Sequence, residues 1–123
     1  MEFNNTMPIY VQVIRSIKKD MIHGKLSLGD KLPSARDLAI QYQINPNTVS
    51  RIYRELELME LCFTKRGIGT YVTEDESKLS VIRKEMADEV VKAFLQEMKE
   101  LGFTKDELSK IIDEKSERIT LSL

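Results

Sequence analysis

Apolar side chains return every three or four residues along most of this chain, and the places where that rhythm fails divide it into elements. Ile9, Val13, Ile17 and Ile22 mark a helix from Pro8 to about His23, with Tyr10, Val11, Ile14 and Met21 widening its apolar face and Gly24 stopping it. Leu26 to Leu32 follows as a turn-rich connection containing Gly29 and Asp30. Leu38, Ala39 and Tyr42 then fall on one face of a short helix, while Val49, Ile52, Tyr53 and Leu56 stripe another. Ser34, just after Pro33, suits the cap of the first of these, and Asp37 places a carboxylate in its first turn, where exposed N–H groups favour it. Asn45-Pro46 separates the two. A residue before proline is pushed out of the helical region, and proline tolerates a first turn, so the second helix is expected to begin at Pro46 or Asn47.

Two short helices across a polar break form a helix-turn-helix, and the outer side of the second carries Asn47, Thr48, Ser50, Arg51 and Arg54. Short polar side chains there let a backbone approach base edges in a major groove, and an arginine fork can bond guanine O6 and N7 together. Arg54, one turn on, is placed for phosphate. Two arginines on a helix also describe an ordinary solvated face. What tips the balance is the next segment, Leu61 to Val72, two strand-like runs around a basic turn. Gly67 and Gly69 allow positive φ and close backbone approach, and Lys65 and Arg66 bring charge to the tip of this hairpin, suited to phosphates or a minor groove.

Gly29-x-x-Leu32-Pro33-Ser34-x-Arg36-x-Leu38-Ala39, then Asn47-Thr48-Val49, then Gly67-x-Gly69-Thr70-Tyr71-Val72, together and in this order, resemble the N-terminal domain of GntR-type bacterial transcription regulators, over Pro8 to Val72. The resemblance implies a winged helix that binds an operator as a dimer. It also implies DNA contacts from Arg36 on the first helix of the motif, from Asn47, Thr48 and Arg51 on the second, and from Arg66 and Gly67 in the wing. Ser34, beside Arg36, is counted with them, and Arg54 is added from helix geometry.

The composition changes sign near Glu74. Residues 1–73 hold ten Lys and Arg against seven Asp and Glu, whereas 74–123 hold nine against thirteen, so a net charge of −1 hides a basic first part and an acidic second. Local charge is what meets phosphate; the acidic part is expected to face away from DNA. The expected organisation is therefore a winged-helix DNA-binding domain over 1–73 and a helical region over 74–123, mainly α with one small β-hairpin.

In the second region Leu79, Ile82, Met86, Val90, Ala93 and Phe94 predict a long helix to about Leu101, ended by Gly102. Thr104 and Glu107 form a capping box for a further helix striped by Leu108, Ile111, Ile112 and Ile119. Two helices alone bury little, and Val91, Leu95 and Met98 leave the long one apolar on more than one side, which points to a second copy of the chain. Leu79, Ile82, Met86, Val90, Phe94, Leu108, Ile111 and Ile112 are the candidate dimerisation residues. Packing of the same residues on the chain's own winged domain is the alternative. The Gly102-Phe103-Thr104-x-x-Glu107-Leu108 pattern is similar to the YtrA-like subfamily, and that likeness implies repression of an operon such as one encoding an ABC transporter.

No apolar run approaches the roughly 18 residues of a membrane span, no secretory leader is visible, and one cysteine excludes an intrachain disulfide framework, so a cytoplasmic protein is expected. Cys62 reads as a small buried hydrophobe, and His23 as a residue at a helix end. No metal-ligand cluster, cofactor loop or nucleophile–base arrangement stands out, so neither a metal, a cofactor nor an enzymatic activity is expected. An effector is not identified; a small molecule seated between subunits stays open. The competing function is a winged-helix scaffold that binds protein rather than DNA, which suits the acidic tail but leaves Arg36, Arg51, Lys65 and Arg66 unexplained.

Overall fold

A computed structural model of the chain describes residues 1–118. The elements run α1 (Ile9–Ile22), α2 (Ala35–Tyr42), α3 (Pro46–Leu58), β1 (Cys62–Lys65), β2 (Gly69–Val72), α4 (Glu76–Glu100) and α5 (Lys105–Arg118). By its internal packing the chain divides into Met1–Lys84 and Glu85–Leu123.

In the first unit, Val13, Ile14, Ile17 and Met21 of α1 pack with Leu38, Ala39 and Tyr42 of α2, and with Val49, Ile52 and Leu56 of α3. The buried stripe of α1 thus starts one turn later than expected, because Ile9 lies at the helix's exposed beginning and Gln12 is buried instead. Burial of that amide is tolerated because its hydrogen-bonding groups are engaged. Its carbonyl accepts from the Asn4 N–H, and its amino group donates to the Asn4 and Met7 carbonyls, fixing the segment before α1.

Ser34 caps α2, its hydroxyl accepting from the Asp37 N–H at 3.1 Å, and Asn45 caps α3 through the Asn47 N–H at 2.8 Å, with Pro46 in the first turn. Between the caps, α2 closes through Gln43 at φ 56°, where the Ile44 N–H reaches the Ala39 carbonyl and the Gln43 N–H the Ile40 carbonyl. Glu60, at φ 60°, ends α3 in the same way, turning fully buried Leu61 back into the core.

β1 and β2 are antiparallel, with Cys62 opposite Val72 and Phe63 opposite Tyr71. The connection before α2 adds a short third edge, since the Leu32 N–H donates to the Thr70 carbonyl and the Val72 N–H to the Asp30 carbonyl. The first turns of α4 belong to this unit as well. Ile82 is in the core and Leu79 packs against it, so the packing division falls further along α4 than the charge boundary at Glu74.

The second unit holds the rest of α4 and α5. Gly102 stops α4, with the Phe103 N–H bonded to the Met98 carbonyl. The capping box of α5 is formed in both directions, Thr104 N–H to the Glu107 carboxylate and Glu107 N–H to the Thr104 hydroxyl. No residue of α5 is buried. Ile119, expected in its stripe, lies outside the described residues.

Candidate nucleic-acid interface

Asn47, Ser50, Arg51 and Arg54 are all exposed and follow one another at helical spacing. That places them on one face of α3, opposite Val49, Ile52 and Leu56, which are completely buried. Thr48 sits at the flank of this face, half-buried. The Ser50 hydroxyl bonds back to the Pro46 carbonyl at 3.3 Å, an arrangement within the helix that an outside acceptor can replace.

The face is held from both sides. Toward the start of α2 the Tyr53 hydroxyl donates to the Pro33 carbonyl, and toward the wing the Glu57 carboxylate accepts from the Thr64 N–H at 3.0 Å. Toward α1, the Arg51 guanidinium lies over the Tyr10 ring, 3.8 Å from its centroid. From the sequence Tyr10 counts only as part of an apolar face; its partner is far away along the chain, and no local pattern reports such a pairing.

In the wing, Phe63 and Tyr71 stack across the strands at 5.7 Å between ring centres, and the Lys65 ammonium stands 4.5 Å above the Tyr71 ring. Arg66 is exposed at the tip. The turn closes from the Ile68 N–H to the Lys65 carbonyl, with Gly67 at φ 77°, a conformation side chains resist. Gly69, at φ 152°, leaves space that Lys31 uses: a Cβ there would lie 2.7 Å from the Lys31 Cε. Lys31 is thus part of the wing, a role that its place in a loop before α2 did not suggest. Ser34, Ile68 and Gly69 border one groove between the wing and the start of α2. Arg36 is exposed on α2.

Cys62 is buried beneath the wing, its thiol directed at the Tyr53 carbonyl at 3.7 Å. Burial, with the Glu57 carboxylate adding to it, pushes that thiol up to about 12, so the group remains a neutral filler. His23 is the exposed cap residue of α1. Among the described residues no group of His, Cys, Asp and Glu could hold a metal ion, and no helix is long and apolar enough to cross a membrane.

The candidate dimerisation residues separate into two groups. Leu79 and Ile82 use their apolar surface within the winged unit, so packing in their own chain accounts for them. Met86 is also buried. Val90 and Phe94 remain exposed, as do Val91, Leu95 and Leu101; on α5, Leu108 and Ile111 are half-buried and Ile112 is exposed. Periodicity could not separate these groups, because one helix face is covered by its own chain at its start and exposed farther along.

The model of bacterial regulatory proteins of the gntR family matches residues 9–72. The HTH-type transcriptional regulator YhcF of Bacillus subtilis is 39% identical over 107 residues, which are 87% of this chain and 88% of that protein. The HTH-type transcriptional repressor YtrA of the same organism is 39% identical over 95 residues, 72% of this chain and 73% of the relative. Among solved structures, a GntR family transcriptional regulator from Listeria monocytogenes matches with a TM-score of 0.85 at 35% identity, covering 91% of this chain and 98% of that one.

Proposed function

Because this chain belongs to the gntR family of bacterial regulatory proteins, whose members are transcriptional regulators and not enzymes, we propose that it binds an operator as a symmetric dimer and represses the adjoining genes. The observation that carries the reading is the exposed Asn47–Ser50–Arg51–Arg54 face of α3, backed by a fully buried face and flanked by a cationic wing tip. In a helix-turn-helix that face meets the major groove, and Lys65 and Arg66 meet the backbone or minor groove beside it.

Two-fold operators need two copies of the reader. The exposed apolar residues of α4, together with an α5 that has no fully buried residue, supply the surface for a second copy, centred on Val90, Phe94, Leu108, Ile111 and Ile112. Repression follows the YtrA relative, which is a repressor by name, and an operon such as one encoding an ABC transporter is the target class that the short helical tail suggests. A cytoplasmic location goes with this role. A small-molecule effector would sit between subunits.

The test is a mobility shift on DNA from upstream of the chain's own operon at two salt concentrations. Binding that weakens steeply with salt and leaves an inverted-repeat footprint is the expected result. A protein partner bound without salt dependence, and no DNA shift, would establish the scaffold instead.

A further inference from the structure

Arg51 is not a free arginine in solvent. It leans toward α1, where Tyr10 is half-buried and packed against the core, and its guanidinium lies over that ring at 3.8 Å. Tyr10 occupies the first turn of α1, and the segment leading into that turn is clamped by the Gln12 amide, so the ring stands on a fixed support. Stacking engages the flat face of a guanidinium and leaves its N–H edge turned outward. A guanidinium already held against a ring gives up less rotamer freedom when it binds.

Building on the DNA reading above, we propose that Tyr10 is a positioning residue for base readout: it holds the Arg51 fork so that its edge meets O6 and N7 of one guanine in each half-site. The base preference of the reader would then depend on a residue outside the helix-turn-helix. A lysine at position 51 could keep the charge but has no planar fork to hold. A phosphate contact by Arg51 is the competing arrangement, and its removal would weaken all sequences alike.

The experiment uses the full chain and duplexes selected by the wild-type protein from a random-sequence pool, each compared with a copy carrying 7-deazaguanine at single half-site positions and with a scrambled duplex. Wild type is expected to lose affinity at one guanine when N7 is removed. Tyr10→Leu is expected to bind the selected duplex roughly fivefold more weakly per half-site, from the scale of a cation–π interaction, with binding to the scrambled duplex unchanged. Its sensitivity to 7-deazaguanine should fade, while Tyr10→Phe, which keeps the ring, behaves as wild type. In an Arg51→Ala background, Tyr10→Leu should have no further effect.

Undiminished discrimination in Tyr10→Leu, or an equal loss on scrambled DNA, overturns the proposal, as does a full effect of Tyr10→Leu without Arg51. If Tyr10→Leu lowers the melting temperature, Tyr10→Met supplies the same comparison with the apolar bulk retained. Failure of the wild-type protein to enrich any duplex would instead overturn the DNA reading itself.

Discussion

The hydroxyl of Tyr53 donates to the backbone carbonyl of Pro33 at 2.5 Å, joining the middle of α3 to the residue just before the cap of α2. Burial holds this phenol well above its usual range, so it remains a donor at any ordinary pH. The bond ties α3 directly to the approach to α2. Tyr53→Phe keeps the packing and leaves the carbonyl without this partner, and should lower unfolding stability by about 1 kcal/mol in urea titration, with unchanged secondary structure. An unaltered midpoint would mean that the bond contributes nothing net.

The turn of the helix-turn-helix contains a built-in cost. Gln43 is left-handed at φ 56°, in the closing position where glycine is the usual residue. Gln43→Gly should therefore stabilise the protein by about 0.5–1 kcal/mol, visible as a higher thermal midpoint. A lower midpoint would mean that the glutamine side chain contributes more than the strain it carries.

Arg66 is exposed at the wing tip, where its neighbour Lys65 stands over an aromatic ring. On the DNA reading Arg66 meets a phosphate. Arg66→Ala should weaken binding to all sequences alike and make the slope of log affinity against log salt shallower by about one for each phosphate released. Arg51→Ala should cost about 1–3 kcal/mol on the preferred sequence and relax preference at one position. Identical behaviour of the two variants would refute this division of labour.

Alkaline pH should loosen the fold beneath the wing. Cys62 ionises near 9 in the open and near 12 when folded, so its contribution is complete below about pH 9 and is lost as the pH climbs toward 12. Tyr53 acts in the same direction, since its folded value is also raised. Urea midpoints measured between about pH 8 and about pH 11 should fall, and fall less steeply in Cys62→Ala. At the lower end of that range, a thiol reagent should label Cys62 slowly in the folded protein and rapidly in urea.

Phe94 and Val90 keep much of their apolar surface exposed on α4. A carboxylate at either position would be costly to bury in an interface of two copies. Phe94→Glu should halve the mass seen in sedimentation and weaken operator binding, with α1–α3 still folded. Wild-type protein sedimenting at the mass of one chain would refute the dimer.

Much of the architecture could be read from local chemistry. Ser34, Asn45-Pro46 and the Thr104–Glu107 box are short-range devices, and α2, α3 and α5 start where they stand. Gly102 announced a helix stop for the same reason. Gln43 and Glu60 form closures of the same kind as Gly102 without the residue that signals one, so those two ends had to be seen. In the candidate interface, the shared exposed face of Asn47, Ser50, Arg51 and Arg54 followed from periodicity. Their supports did not: Tyr10 under Arg51, Tyr71 under Lys65 and Lys31 across Gly69 are pairings between separate stretches of chain, invisible to spacing within one helix. Leu79 and Ile82 illustrate the other limit, since an apolar stripe reports that a face is covered and not by what.

α5 is a 14-residue helix with a good N-terminal cap and no buried side chain. Helices of that length are marginal in water when they stand alone, whatever their caps. On the dimer reading its helicity in solution follows mass action, so that in a dilute cell extract and in a concentrated preparation the same polypeptide would have different amounts of ordered backbone.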